Sequence, residues 1–299
     1  AVVGLKDITQ KVSENEFILL DADEGFVIQN PSINEIKLFG TSSKIDYGAL
    51  EEKPKRFAET KDGTRIIVKV NLESEDDCDM AIKNGADGIG LYRSESLFLK
   101  HPTNEPTEDE QFYTYKKIAE GMKNKPVIIR TFDLGADKFE HQKEENPFLG
   151  NRGIRYCLQN KVWFKNQLRA ILRASVFGDV SLMIPMVTSI KEIMETKDLL
   201  KECKEELKEQ KIPYKRVKVG IMVETPSVAL SPDVFTRECD FFSIGTNDLL
   251  QYTMAVDRNN SLISELYNPY HISFLRLLSN VIRVAEKKKI PVGICGEIA

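Results

Sequence analysis

Residues 218–248 read KVGIMVETPSVALSPDVFTRECDFFSIGTND, and this stretch indicates the fold of most of the chain. It contains two short apolar runs whose apolar residues do not alternate with polar ones. Such runs are typical of strands in a parallel sheet whose two faces are covered by helices. Similar runs, each followed by a helical pattern, begin at Arg65, Asp87, Pro126, Ser181 and Ile290.

Seven such runs, alternating with helices, predict an α/β protein of the (β/α)8 TIM-type barrel class. One of the intervening helices is indicated by apolar residues at spacings of three, four or seven: Ile190, Ile193, Leu200, Cys203 and Leu207. The opposite face of this helix is charged, as expected at a solvated surface. Because only seven strands are visible, we expect the barrel to be incomplete, with its eighth strand and helix beyond Ala299.

The chain before the barrel has a different pattern. Residues 1–32 contain apolar runs on either side of a turn at residues 23–25, which predicts the end of a β-rich unit. Residues 33–62 are charged and loosely helical and are interrupted by Pro54, so we interpret them as a helical linker. The predicted barrel then occupies residues 63–299.

The composition excludes several classes of protein. Among 299 residues, 42 Lys and Arg face 46 Asp and Glu, and a net charge of -4 is too small for a nucleic-acid-binding or acidic-membrane surface. Five widely spaced cysteines argue against a disulfide scaffold or a zinc site and fit the reducing cytoplasm. No stretch approaches the ~18 apolar residues needed to cross a bilayer.

Polar side chains collect where the predicted strands end. They are Arg93, Arg130 with Asp133, Glu224, Asn247 with Asp248, and Cys295. In barrel enzymes the loops at the carboxyl ends of the strands build the active site, so we expect these side chains to converge on one mouth.

Four arginines lie at these strand ends or in glycine-containing loops: Arg93, Arg130, Arg152 and Arg258. A guanidinium group binds phosphate or carboxylate oxygens in bidentate fashion and keeps its charge at any working pH. A single arginine in such a place is more often a surface ion pair. Four of them together predict a site for a small anion with several charges.

Glu224 and Asp248 follow adjacent predicted strands and supply two oxygen ligands of the kind that Mg²⁺ prefers. The alternative is that each carboxylate only neutralises a neighbouring arginine.

Cys295 lies between two glycines at a strand end, and free cysteines are usually small core residues. Its position at the mouth instead favours a thiol that gives or takes a proton, and nearby arginines predict an accessible thiolate.

Seven segments carry a family resemblance: GADGIGLYRSE, IIRTFDLGADK, NPFLGNRGIR, MIPMVTSIKEI, VGIMVETPSVAL, DFFSIGTNDLLQYTMAVDRNN and GICGEIA. In this order they resemble the C-terminal domain of enzyme I of the bacterial sugar phosphotransferase system, the phosphoenolpyruvate-protein phosphotransferases. The resemblance extends from Gly63 to Ala299. Pyruvate phosphate dikinase and phosphoenolpyruvate synthase share the barrel, but their forms of these motifs are less similar.

The resemblance implies a Mg²⁺-dependent phosphotransferase that converts phosphoenolpyruvate into pyruvate. Arg93, Arg130 and Arg258 would hold the phosphate and carboxylate of phosphoenolpyruvate, with Arg152 as another wall of the pocket. Glu224 and Asp248 would bind the Mg²⁺, and Asn247 would contact the phosphate. Cys295 would donate or accept the proton at the methylene carbon.

The resemblance also implies partners. In the family, the phosphoryl group passes to a histidine of a swivelling phosphohistidine domain and then to the histidine phosphocarrier protein. Residues 1–32 resemble only the end of that domain, so we expect this chain to bind its substrate weakly at best and not to complete the transfer. Family members pair through the barrel, so a homodimer is expected.

Two other functions stay open. A relative of the dikinase or the synthase would work with a nucleotide-binding domain and not with a protein carrier. A non-catalytic scaffold or ligand sensor could use the same barrel, and it would tolerate the loss of Arg130 or Cys295.

Overall fold

The computed structural model describes residues 2, 4–5, 7–22, 24–39, 57–99, 105–133, 135 and 144–299. The chain forms two compact units, Ala1–Phe57 and Ala58–Ala299. The predicted boundaries after residues 32 and 62 remain predictions, since the division into units does not test them.

The first unit contains helix α1 (Ile8–Lys11), strands β1 (Ile18–Asp21) and β2 (Phe26–Gln29), and helix α2 (Ile33–Phe39). The two strands pair in antiparallel fashion around a turn in which the Gly25 N–H donates to the Asp21 carbonyl. Gly25 has a φ of 75°, a value that glycine adopts without strain. The part of the predicted linker that includes Pro54 lies outside the described residues.

The second unit begins with a short antiparallel hairpin of β3 (Ala58–Glu59) and β4 (Arg65–Ile66). The sequence predicted that residues 65–72 form one barrel strand, and this was wrong. Only β5 (Val70–Leu72) joins the barrel sheet, because the Val68 N–H donates to the Asp87 carboxylate at 2.9 Å and not to a neighbouring strand.

Seven parallel strands follow one another around a single sheet in chain order. After β5 they are β6 (Ile89–Arg93), β7 (Val127–Arg130), β8 (Val180–Ile184), β9 (Lys218–Val223), β10 (Phe241–Gly245) and β11 (Val292–Cys295). No described residue forms an eighth strand in this sheet.

Helices connect successive strands. They are α3 (Cys78–Lys83), α4 (Ser96–Leu99), α5 (Glu108–Gly121), α6 (Ile154–Gln159), α7 (Lys161–Ala174), α8 (Ile190–Glu209), α9 (Pro226–Leu230), α10 (Pro232–Phe235), α11 (Thr246–Met254) and α12 (Ile272–Lys288). The helix predicted from the apolar stripe is α8. Its Ser189 and Glu192 form a capping box, which satisfies backbone donors at the helix start.

The sheet curls toward a barrel, which confirms the predicted fold class. Leu91 lies in β6, the second of the seven strands, and Cys295 lies in β11, the last, yet both pack in one interior cluster with Met183, Met222 and Phe241. A second and larger core lies between the strands and the helices outside them. Consequently the carboxyl ends of strands distant in sequence face a common space.

No helix among the described residues is both long enough and apolar enough to pass through a membrane.

Candidate active site

A cavity of ≈ 330 Å³ lies at the carboxyl ends of the barrel strands. Its lining comprises Glu73, Leu91, Arg93, Glu95, Ser96, Arg130, Asp133, Arg152, Met222, Glu224, Gly245, Thr246, Asn247, Asp248, Arg258, Cys295 and Gly296. All nine polar residues that the sequence analysis selected, Asp133 included, are in this set. The structure therefore brings them together, while their individual roles remain predictions.

Arg130, the last residue of β7, is almost fully buried in the cavity wall. Its Nη2 donates to Glu95 Oε1 at 3.1 Å, and its Nη1 lies 3.5 Å from Asp133 Oδ2. Arg130 Nε and Glu95 Oε2 are buried without a hydrogen-bond partner. Since buried polar groups are nearly always paired, these two atoms are unusual features of the cavity wall.

Asp133 joins two of the arginines. Arg152 makes a bidentate ion pair with it, from Nε to Oδ1 at 3.1 Å and from Nη2 to Oδ2 at 2.7 Å. Burial raises the pKa of the Asp133 carboxyl, but Arg152 and Arg130 outweigh this effect and hold it below its ordinary value. Gly153 makes room for this pair, because a Cβ there would lie 3.1 Å from Asp133 Oδ1 and 2.8 Å from Met186 Cβ.

The other two arginines lie nearer the solvent. Arg258 Nη1 donates to Asp248 Oδ1 at 2.7 Å, and the Arg258 backbone N–H donates to Gln251 Oε1. Arg93 Nη1 donates to Glu73 Oε1 at 2.6 Å in a half-exposed ion pair. Each predicted arginine thus already contacts a carboxylate of the cavity.

Glu224 differs from the other cavity carboxylates because no described cation forms an ion pair with it. Its Oε1 accepts a hydrogen bond of 2.6 Å from the Met186 N–H. Met186 has a φ of 56°, an unusual value for a residue with a side chain and one that often marks functional sites. Burial, and then the nearby Asp248 carboxylate, raise the pKa of Glu224 well above its ordinary value.

Glu224 and Asp248 fit a divalent cation by the chemistry of their donors. Both are buried carboxylates, and the pKa of Glu224 is raised first by burial and then by the nearby Asp248 and Asp133 carboxylates, whose negative charge a cation would neutralise. The lining contains five acidic residues against four arginines. No group of three or more potential metal-ligating side chains occurs among the described residues, so the protein would supply two ligands and leave the others to water and substrate, as Mg²⁺ sites often do.

Asn247 lies in the first turn of α11, whose amino end faces the cavity. The Asn247 Oδ1 accepts from the Glu297 N–H at 3.1 Å, which leaves its Nδ2 group free among the described contacts to donate to a ligand. Gly296 allows this arrangement, because its φ is 106° and a Cβ would lie 2.8 Å from Asn247 Oδ1.

Cys295, at the end of β11, is buried with its Sγ 3.3 Å from Ser243 Oγ. Burial raises the pKa of its thiol. The nearby arginines lower this pKa, but their effect is smaller than that of burial. The predicted accessible thiolate was therefore wrong, since the buried thiol keeps its proton. A protonated thiol has a proton that it can donate.

Sequence reasoning missed several cavity residues. Glu73 directly follows β5, and Glu95 lies two residues after the end of β6, so the strand-end rule that selected Arg93 could have found them. Ser96, Thr246 and Met222 carried no signal. His271 caps α12 away from the cavity, and the other two histidines lie outside the described residues.

The fold and cavity define a class of protein: a parallel α/β barrel with a cavity lined by arginines and carboxylates at the carboxyl ends of its strands. The model of the PEP-utilising enzyme family, PEP-binding domain, matches residues 48–299. The chain belongs to this family.

Curated proteins of similar sequence support this family assignment. The phosphoenolpyruvate-protein phosphotransferase of Geobacillus stearothermophilus is 43% identical over 100% of this chain and 53% of its own length. The protein of that name from Buchnera aphidicola subsp. Schizaphis graminum is 46% identical over 100% of this chain and 54% of its own. The chain thus spans about half the length of these relatives.

A solved HpcH/HpaI aldolase/citrate lyase family protein from Burkholderia cenocepacia J2315 gives a TM-score of 0.49 at 13% identity, covering 80% of this chain and 83% of that one.

Proposed function

We propose that the cavity binds phosphoenolpyruvate together with Mg²⁺, and that this chain is the substrate-binding part of a phosphoenolpyruvate-protein phosphotransferase. One observation carries the proposal. Four arginines and an unpaired carboxylate, spread over much of the sequence, line one cavity in a chain of the PEP-binding domain family.

The charges of the cavity support a metal-assisted mode of binding. Acidic residues outnumber arginines in the lining, so the phosphate and carboxylate of the substrate would meet no excess of positive charge from the protein alone. Glu224 and Asp248 would hold Mg²⁺, which when bound would neutralise charge on the phosphoryl oxygens. The four arginines would then bind the phosphate and carboxylate oxygens, with Asn247 donating to the phosphate.

The reaction breaks the bond between phosphorus and the enol oxygen of the substrate. The phosphoryl group goes to a histidine nitrogen outside this chain, and the electron pair stays on oxygen to give enolpyruvate. Cys295 would then give its thiol proton to the methylene carbon, which yields pyruvate. The chain contributes position and electrostatics and no covalent bond to phosphorus, as is usual in phosphoryl transfer.

The partners follow from the relatives' name and the resemblance. The accepting histidine would lie in the part of the relatives that this chain does not cover, and the histidine phosphocarrier protein would take the phosphoryl group from it. The barrel would pair as a homodimer in the cytoplasm.

Calorimetric titration of phosphoenolpyruvate into the chain, with and without Mg²⁺, tests binding. We expect weak but saturable binding with Mg²⁺ and still weaker binding without it. Adding the amino-terminal half of a relative and the phosphocarrier protein should then produce pyruvate. No binding under either condition would contradict the proposal. Binding without pyruvate formation in the complemented system would favour a ligand sensor, and phosphoryl transfer only with a nucleotide-binding partner would favour a dikinase or synthase relative.

A further inference from the structure

Gln167 is a fully buried polar residue of α7 that does not line the cavity. It lies in the core between the helices and the strands, where an apolar side chain would usually be found. Burying an amide is unfavourable unless its donors and acceptor are all bonded. The hydrogen-bond partners of Gln167 therefore indicate which segments of the chain it holds in place.

Each polar atom of the Gln167 amide has a partner. Its Oε1 accepts from the Phe132 N–H at 3.1 Å. Its Nε2 donates to Ser94 Oγ at 3.1 Å and to Tyr115 OH at 3.0 Å. A helix on the outside of the barrel is thereby tied to the segments that follow β6 and β7.

Those two segments carry cavity residues. Ser94 follows Arg93, and its Oγ donates to the Arg130 carbonyl at 2.8 Å. Phe132 precedes Asp133, whose N–H donates to Glu95 Oε1 at 2.7 Å. The Gln167 amide therefore fixes the backbone from which Arg130 and its carboxylate partners project.

We propose that Gln167 is a positioning residue for the anion site, which sets the register of the β6 and β7 carboxyl ends and hence the place of Arg130. The proposal rests on the proposed function for the identity of the ligand. Gln167 is neutral and lies outside the cavity, so it acts through geometry. Displacing a binding group by about 1 Å, or removing the group that orients it, typically costs about 10- to 100-fold in affinity or activity.

The test compares Gln167→Met with Ser175→Ala. Methionine keeps the length of the side chain and removes its three hydrogen bonds. Ser175 follows the last residue of the same helix, is equally buried, and accepts from the Lys215 N–H at 2.8 Å, away from the cavity. Both changes should lower the melting temperature. We expect Gln167→Met alone to weaken phosphoenolpyruvate binding in the presence of Mg²⁺, by about 10- to 100-fold.

Equal substrate affinity in the two variants, with similar losses of melting temperature, would overturn the proposal. If Gln167→Met does not fold, Ser94→Ala removes the bond to the Arg130 carbonyl and should weaken binding in the same direction, whereas unchanged binding would overturn the proposal. In the double variant Gln167→Met with Ser94→Ala, the losses should be less than additive, because both residues act through one network.

A second readout separates this proposal from the proposed function. The NMR signal of the Arg130 Nε–H group reports its surroundings without any ligand. We expect that signal to shift or broaden in Gln167→Met and to stay as in the parent chain in Ser175→Ala. If the parent chain does not bind phosphoenolpyruvate, the proposed function fails while this comparison still decides the role of Gln167. An unchanged Arg130 signal in Gln167→Met would overturn the proposed positioning role of Gln167.

Discussion

Two pairs of largely buried arginines, one at the mouth of the barrel and one on its outside, are alike in burial and differ in their surroundings. Arg130 and Arg152 line the cavity, whereas Arg169 and Arg173 join α7 to carboxylates of neighbouring helices. All four side chains are only 10% to 16% exposed. Burial and ion pairing alone therefore do not distinguish a binding arginine from a structural one.

Arg130 and Arg169 differ in what the fold leaves unpaired. All three guanidinium nitrogens of Arg169 have partners, namely Glu108, Glu206 and Gln210. Arg130 Nε has none, and Arg130 lines a cavity in which carboxylates outnumber arginines. Arg152 does not share this difference, because each of its guanidinium nitrogens has a partner. A buried donor without a partner is rare, so Arg130 is the arginine that we expect to respond most to a ligand.

The largest effect should come from Arg130→Lys. Lysine keeps the charge but loses the planar fork of donors, so we expect phosphoenolpyruvate affinity with Mg²⁺ to fall by about 100-fold. Arg169→Lys is the control: it should lower the free energy of unfolding by about 1 to 3 kcal/mol and leave substrate affinity within about twofold. Calorimetry and thermal unfolding measure the two quantities. Equal losses of substrate affinity in both variants would erase the distinction between Arg130 and Arg169.

Cys295→Ala should separate binding from chemistry. Without the thiol proton, pyruvate formation in the complemented enzyme should fall by about 100-fold or more, while substrate affinity stays unchanged. Because burial raises the thiol pKa, the group keeps its proton above the ordinary thiol value of about 8.5. The step that needs the thiol should therefore persist at that pH and be lost only at higher pH. Unchanged turnover in Cys295→Ala would remove Cys295 from the mechanism.

Glu224→Gln should stabilise the folded chain and abolish its binding of the metal ion. A carboxyl whose pKa is raised by folding favours the protonated native state, so stability is lost as the pH rises from about 4.3 toward the raised pKa. We expect the variant to gain about 1 kcal/mol at neutral pH without divalent cations. Mg²⁺ should raise the melting temperature of the parent chain and not of the variant. A similar response of both chains to Mg²⁺ would exclude Glu224 as a ligand.

The smallest effect should follow Glu73→Gln. This exposed carboxylate pairs with Arg93 at the edge of the cavity, where it competes with an anionic ligand. Neutralising it should improve substrate affinity by about two- to fivefold at low salt, and the gain should shrink at high salt because exposed charges are screened. Weaker binding in Glu73→Gln would mean that Glu73 orients Arg93 for the ligand.

The sequence predicted the barrel and the convergence of its site because both depend on a repeated pattern. Apolar runs locate the strands, and a polar residue at a strand end must face the mouth, as Arg130 and Glu224 do. The pattern could not show that residues 65–68 leave the sheet, because that depends on the Asp87 side chain, distant in sequence. Nor could it show that burial outweighs the arginines at Cys295. Gln167 gave no signal, since its partners come from three separate segments.

The central claim is that this cavity holds phosphoenolpyruvate and a divalent cation at once. A crystal structure of the chain with phosphoenolpyruvate and Mn²⁺, whose anomalous scattering locates the metal, tests it most directly. We predict a metal peak at the Glu224 and Asp248 carboxylates and a phosphate group in contact with Arg130. Metal or phosphate bound elsewhere, with this cavity holding only water, would contradict the account.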